Sequence, residues 1–326
     1  MSPEVSIIIL VIIALIFDYL NGFHDASNIV ATMISSGAAS PRAALAMVAG
    51  AQFVGPLVFG LAVATTVGKE VVNPESITIG VVLAALGSAI AWNIVTWFLG
   101  LPSSSSHALM GGLVGSVVAS AGFSHLQVAG LIKVGIGLFG TPILAMIVGY
   151  LFFKLVLFSV RGAPPRINWV FKRAQVPTAI LLSLSHGSND AQKTMGVITM
   201  SLVILGFQHE FAVPLWVIII SATAISLGTA TGGWRIIRTI GSGFYRIRPI
   251  HAFSSQSSSG AIILAASLLG GPVSTTHVVS SSIMGVGSAE RLSKVRWGVG
   301  ANIFVAWVIT IPATALGGML LYALIG

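Results

Sequence analysis

The amino-acid sequence predicts an all-α integral membrane protein of two inverted repeats, each with a broken helix and a re-entrant helical hairpin. Three observations predict it. Of 326 residues, 55% are hydrophobic and only 7% charged, whereas an average soluble domain is about 25% charged. The apolar residues fall in long runs, roughly 5–34, 41–67, 77–100, 107–121, 128–158, 177–205, 214–232, 257–270, 277–288 and 297–325. Two polar motifs interrupt those runs, and each occurs twice in the same order.

A soluble fold lacks the interior volume to hide this much apolar surface, whereas a bilayer accepts it. Helix is the expected backbone, because unsatisfied amides in hydrocarbon each cost several kcal/mol. The runs lack the period-2 alternation of a membrane barrel. The first run, Val5 to Leu20, has no basic segment before it and reads as a retained membrane helix rather than a signal peptide. Cysteine is absent, so disulfides and thiolate chemistry are excluded.

The first interruption is Leu20-Asn21-Gly22-Phe23-His24-Asp25, and its echo is Ser185-His186-Gly187-Ser188-Asn189-Asp190. Polar residues at membrane depth are tolerated where they line a cavity enclosed by protein, so each is expected to break its helix. The second interruption is Leu101-Pro102 with Ser103 to His107, echoed by Gly271-Pro272-Val273-Ser274-Thr275-Thr276-His277. Runs of about 12 to 14 residues flank the latter, short of the ~20 that span a bilayer. Each reads as the tip of a re-entrant hairpin. Asp25 and Asp190 are 165 residues apart, and His107 and His277 are 170 apart. Similar offsets for two unrelated motifs indicate an internal duplication. The expected division is a first repeat over 1–158, a basic linker over 159–176 and a second repeat over 177–326.

The net charge of +8 does not point to nucleic acid, since Lys and Arg sit in short loops between apolar runs. Such loops carry the cytoplasmic positive bias. Arg161, Arg166, Lys172 and Arg173 place the central linker inside. Arg235, Arg238, Arg246 and Arg248 precede the second hairpin, and Arg291, Lys294 and Arg296 follow it, so it enters from the cytoplasm. The first hairpin is preceded by Lys69, Glu70 and Glu75, with no Lys or Arg before Lys133, and should enter from outside. Arg42 then lies inside and both termini outside. Hairpins of opposite orientation make the repeats inverted, a plan shared by many secondary transporters.

Candidate chemistry follows from the motifs. Asp18, Asn21, Asp25 and Asn28 are spaced three, four and three apart, which puts them on one helix face. Their oxygens suit a hard cation such as Na⁺, and a carboxylate can also carry a proton. Asn189, Asp190, Lys193 and Thr194 form the second set. Lys193 could neutralise Asp190 or act as a ligand. His186 reads as a satisfied histidine at a helix end. Ser104, Ser105 and Ser106, and likewise Ser274, Thr275 and Thr276, stand where a helix begins. A helix N-terminus offers free N–H groups and partial positive charge to an oxyanion. A plain cap needs one hydroxyl, and both tips exceed that need. His107 and His277 could bond an anion, shuttle a proton or cap a carbonyl. Gln52 and Gln256 read as packing glue.

Residues Asn21 to Asn28 and Gly187 to Lys193, with Trp92-Asn93, Thr96-Trp97, Gly100 to His107 and Pro272 to His277, resemble the signatures of the inorganic phosphate transporter (PiT) family. The motifs lie in the family's order and reach from residue 21 to 277. Phe23 and His24 depart from the family's usual Gly-Ala-Asn-Asp and resemble its bacterial low-affinity branch. The resemblance implies a symporter, not an enzyme, that imports inorganic phosphate with Na⁺ or H⁺. In the low-affinity branch it implies proton linkage and phosphate carried with a divalent metal such as Mg²⁺. Sulfate or another oxyanion is the alternative cargo, and an anion channel the alternative mechanism. The expected phosphate ligands are Ser104, Ser105, Ser106, Asn189, Ser274, Thr275 and Thr276. The expected coupling residues are Asn21, His24, Asp25, Asn28, Asp190 and Thr194, with Asp25 and Asp190 as Na⁺ ligands if sodium couples. The expected setting is the cell (inner or plasma) membrane as a multi-pass protein, with phosphate and lipid as partners and a homodimer admitted. An intramembrane serine hydrolase is disfavoured, because four equivalent serines single out no nucleophile.

Overall fold

The computed structural model describes residues 2–70 and 77–326. Glu75, one of the orientation markers, lies outside the described residues. The regular elements are helices, in the order α1 (Pro3–Ser35), α2 (Pro41–Val58), α3 (Ala62–Thr65), α4 (Ile79–Leu99), α5 (Ser105–Ala121), α6 (Val128–Gly135), α7 (Thr141–Ser159), α8 (Ile167–Ile204), α9 (Leu215–Thr231), α10 (Trp234–Gly243), α11 (Pro249–Leu268), α12 (Thr275–Glu290) and α13 (Trp297–Ile325). Among the described residues, α1, α2, α4, α7 and α13 are each long and apolar enough to cross a membrane. The α9–α10 pair, bent by 68° at its break, adds a sixth candidate. Large apolar side chains such as Ile8, Ile12, Leu151 and Leu320 face outward, as a lipid-facing surface requires. This is a multi-pass membrane protein.

Helix packing repeats between the halves. Helix α1 lies on α9, and α8 lies on α2; α5 packs on α13, and α12 on α7. In the same way α4 touches α1 and α13, and α11 touches α8 and α7. These contacts of one half recur with the halves exchanged, so the two halves interlock rather than sit side by side.

The expected hairpins form as α4–α5 and α11–α12. Their turns are built alike. Gly100 (φ 67°) and Gly270 (φ 70°) take the left-handed conformation that ends the first helix. A Pro follows, and Ser104 or Ser274 then caps the second helix by accepting from the backbone N–H of His107 (3.1 Å) or His277 (3.3 Å). The second hairpin is longer than the apolar runs suggested. Helix α11 begins at Pro249 and includes the Ser-rich stretch 254–259, where the hydroxyls of Ser254, Ser255 and Ser258 bond back to the preceding helical turn.

The expected helix breaks are absent. Helices α1 and α8 run through residues 20–25 and 185–190 without interruption. The motif glycines serve close helix crossing instead. A Cβ on Gly22 would fall 2.0 Å from the Ile225 carbonyl oxygen of α9, and one on Gly187 would fall 2.3 Å from the Gln52 carbonyl oxygen of α2. Asp25, Asp190 and Asn189 find partners on other elements without the backbone unwinding.

Two apolar clusters flank this polar belt. One includes Leu10, Ala14 and Phe17 of α1 with Met195 and Ile198 of α8. The other includes Ile29, Val30 and Met33 of α1 with Ala179 and Leu182 of α8. Residues 18–25 and 185–190 lie between them in the sequence of each helix, which puts the site inside the protein.

Candidate functional site

Asp25 and Asp190 project from the crossing faces of α1 and α8 toward the start of α12. Both are buried. Thr275 Oγ1 lies 3.2 Å from Asp25 Oδ2 and 3.0 Å from Asp190 Oδ2. Thr276 Oγ1 donates to Asp25 Oδ1 at 2.9 Å and accepts from Asn28 Nδ2 at 3.0 Å. On the other flank, Lys193 Nζ donates to Asp190 Oδ1, to Ser106 Oγ and to the Val273 carbonyl, the last at 3.1 Å. The second hairpin tip therefore meets both carboxylates directly, and the first reaches Asp190 through Lys193.

Two histidines complete the cluster. His24 Nδ1 is 3.1 Å from Asp25 Oδ1, and its Nε2 lies 3.3 Å from Thr96 Oγ1. His186 Nε2 is 3.2 Å from Asp190 Oδ2 and 3.9 Å from Asp25 Oδ2. Gln52 fixes its other nitrogen, with Nε2 2.6 Å from Nδ1. Since the Gln52 amide N–H donates, His186 Nδ1 accepts, and the imidazole points Nε2 at the carboxylates. Asp25, His186 and Asp190 each offer one ligand atom, all within 4.8 Å of one another. Two carboxylate oxygens and an imidazole nitrogen are a donor set for a cation or a shared proton.

The remaining expected residues are distributed as follows. Ser105 is buried at the start of α5, with no hydrogen-bond partner for its hydroxyl among the described residues. Ser104 and Ser274 act as caps and retain their own O–H to donate. Asn189 faces another way: its Nδ2 donates to Ser267 Oγ at 3.0 Å and the Gly271 carbonyl at 3.2 Å, bracing the second hairpin. Asn21 and Thr194 are buried; the Asn21 amide has no hydrogen-bond partner among the described residues, and the Thr194 hydroxyl faces the Asp18 carboxyl. His107 and His277 stack on each other with ring centroids 4.4 Å apart, and His277 stacks on Trp307 at 3.8 Å. They wedge the hairpins together behind the tips.

Residues 21–318 match the phosphate transporter family. The chain belongs to the phosphate transporter family. Within it, the chain is 44% identical over 320 residues to a probable low-affinity inorganic phosphate transporter of Bacillus subtilis, covering 97% of this chain and 96% of that one. It is 46% identical over 322 residues to a protein of the same description from Rhizobium meliloti, covering 96% and 94%. Among solved structures, a sodium-dependent phosphate transporter shares the fold with a TM-score of 0.90 at 24% identity, over 98% of both chains. Like its family, the chain is a transporter and not an enzyme.

Two residues of this phosphate transporter family member matter more than their sequence context suggested. His186 reads as a plain helix-end histidine, yet it touches both carboxylates. Gln52 reads as glue, yet it sets the orientation of His186. A signal existed for His186, because it stands four residues before Asp190, one helical turn away on the same face. None existed for Gln52, which is 134 residues from its partner. Gln256 keeps its structural role, linking Thr178 and Thr32.

Proposed function

We propose that this chain is a symporter that imports inorganic phosphate together with Na⁺ or H⁺. One observation carries the reading: the hydroxyl-rich start of α12 meets two carboxylates beside a histidine in one buried cluster, and the start of α5 joins that cluster through Lys193. Such a cluster can hold opposite charges side by side. The free N–H groups opening α5 and α12, with the hydroxyls of Ser105, Ser106, Thr275 and Thr276, suit an oxyanion. Asp25, Asp190 and His186 suit the cation. Each charge lowers the cost of burying the other, and that mutual effect is the coupling free energy that links the two fluxes. The descriptions of the bacterial relatives support phosphate as the anion.

The same donor set accommodates Mg²⁺ arriving with phosphate as cargo, since carboxylates are hard oxygen ligands. Loop charge supports an inside linker, outside termini, inverted repeats and residence in the cell membrane. Alternating access would then move one group of helices against the other around the cluster.

The test is radiolabelled phosphate uptake into proteoliposomes under an inward Na⁺ or proton gradient, each with and without Mg²⁺, and with sulfate as competitor. Uptake driven by Na⁺ alone assigns Asp25 and Asp190 to sodium. Uptake driven by protons and raised by Mg²⁺ assigns them, with His24 and His186, to a proton-linked path. No phosphate uptake under any gradient refutes the reading.

A further inference from the structure

The two halves hold matching polar triads in which the aspartate recurs, a Thr becomes a Ser and an amide becomes an ammonium. In the first, Asn28 donates to Thr276 (3.0 Å), and Thr276 donates to Asp25 (2.9 Å). The 165-residue offset that maps Asp25 onto Asp190 also maps Asn28 onto Lys193, and the 170-residue offset of the tips maps Thr276 onto Ser106. In the second half Lys193 indeed donates to both Ser106 and Asp190. An ammonium thus stands where the duplication has an amide. Lys193 is the one buried Lys or Arg among the described residues. Its Nζ is surrounded by oxygens from three elements: a carboxylate of α8, a hydroxyl from one tip and the Val273 carbonyl from the other. A carboxylate, a hydroxyl and a carbonyl are also the ligand types of a hard metal cation.

We propose that Lys193 is a tethered cation. Its ammonium fills the second-half counterpart of the coupling site, so the transporter moves one mobile cation fewer per phosphate than its duplicated frame could hold. This inference rests on the cation-coupled reading above. Its physical basis is that a buried carboxylate left without its counter-charge is strongly destabilised. If the ammonium is removed, Asp190 must recruit a mobile cation during each cycle.

The test is the reversal potential of phosphate flux in proteoliposomes, which gives the net charge moved per phosphate. Lys193→Asn should raise that charge by one. The reciprocal Asn28→Lys, which adds a second tethered cation, should lower it by one. Unchanged values in both variants overturn the proposal, because Asp190 would then simply keep a proton throughout the cycle. If a variant folds but carries too little flux, its melting temperature replaces the flux. Lys193→Asn should gain a cation-dependent rise in Tm, with Na⁺ or with falling pH, that the parent lacks; no gain overturns the proposal. Absence of phosphate flux in the parent protein would instead refute the symporter reading itself.

Discussion

Asp25 and Asp190, 165 residues apart in sequence, share a single hydroxyl: Thr275 Oγ1 stands within hydrogen-bond distance of an oxygen of each. A hydroxyl carries one proton and can donate to only one of them. Lys193 supplies positive charge to Asp190, whereas Asp25 has, among the described residues, only hydroxyls and the imidazoles of His24 and His186 beside it. The cluster is therefore left with a demand for a cation on the Asp25 side.

Thr275 should be replaceable by Ser but not by Val. Thr275→Ser keeps the bridging hydroxyl, and phosphate uptake should stay within a few-fold of the parent. Thr275→Val keeps the shape and loses a hydrogen bond to charged groups worth about 1.5–3 kcal/mol. Uptake per reconstituted protein should fall about 10- to 100-fold.

Gln52 should act only through His186. Gln52→Leu frees the imidazole to flip or change tautomer, so the pH profile of uptake should move. Gln52→Glu replaces the amide donor with a charged acceptor, which favours the other imidazole tautomer, and should move the profile again. A Gln52→Leu profile identical to the parent's, at lower amplitude, would show that Gln52 is mere packing.

The motif glycines should prove structural. Gly22→Ala and Gly187→Ala drive a methyl into backbone carbonyls 2.0 and 2.3 Å away. Overpacking of this kind costs about 1–3 kcal/mol, which should appear as a lower Tm in detergent. Gly50→Ala, with nothing within 4 Å of its added methyl, should leave Tm unchanged or raise it slightly.

Glu290 closes the base of the second hairpin by accepting from Arg248 (2.6 Å), His251 (2.6 Å) and Lys294. Partial burial alone would raise its carboxyl, but Lys294, His251 and Arg248 outweigh that and hold it at about 2. A carboxyl lowered on folding contributes stability that is present above its unfolded value, near 4.3, and is lost as pH falls toward 2. Glu290→Gln should therefore lower Tm at pH 7, and the gap to the parent should close between about pH 4 and pH 2.

Much of this arrangement could be read from the sequence, because duplication exposes it. Asp25 with Asp190, and the two Ser/Thr tips, stood out by recurring in order. What escaped depended on contacts between distant segments. The glycines of both motifs suggested broken helices, since a glycine's neighbours across a crossing are invisible in one dimension; the structure uses them to bring α1 onto α9 and α8 onto α2. Asn189 is next to Asp190 in sequence, but successive helix positions point in different directions, and its amide N–H groups brace the second hairpin. Ser104 and Ser274 were grouped with the binding hydroxyls, and each also accepts the capping bond that begins its helix. For Lys193, the sequence left pairing and ligation open, and the structure seats it on Asp190 and both hairpin tips.

The central claim is that phosphate and a cation move together through this cluster. The most direct measurement loads proteoliposomes with equal phosphate on both sides and imposes only a cation gradient. Phosphate should accumulate against its own gradient, and both an ionophore that collapses the cation gradient and Asp25→Asn should abolish that accumulation. Phosphate that remains at equal concentration on both sides, while still exchanging label freely, would contradict the central claim and leave a passive pathway.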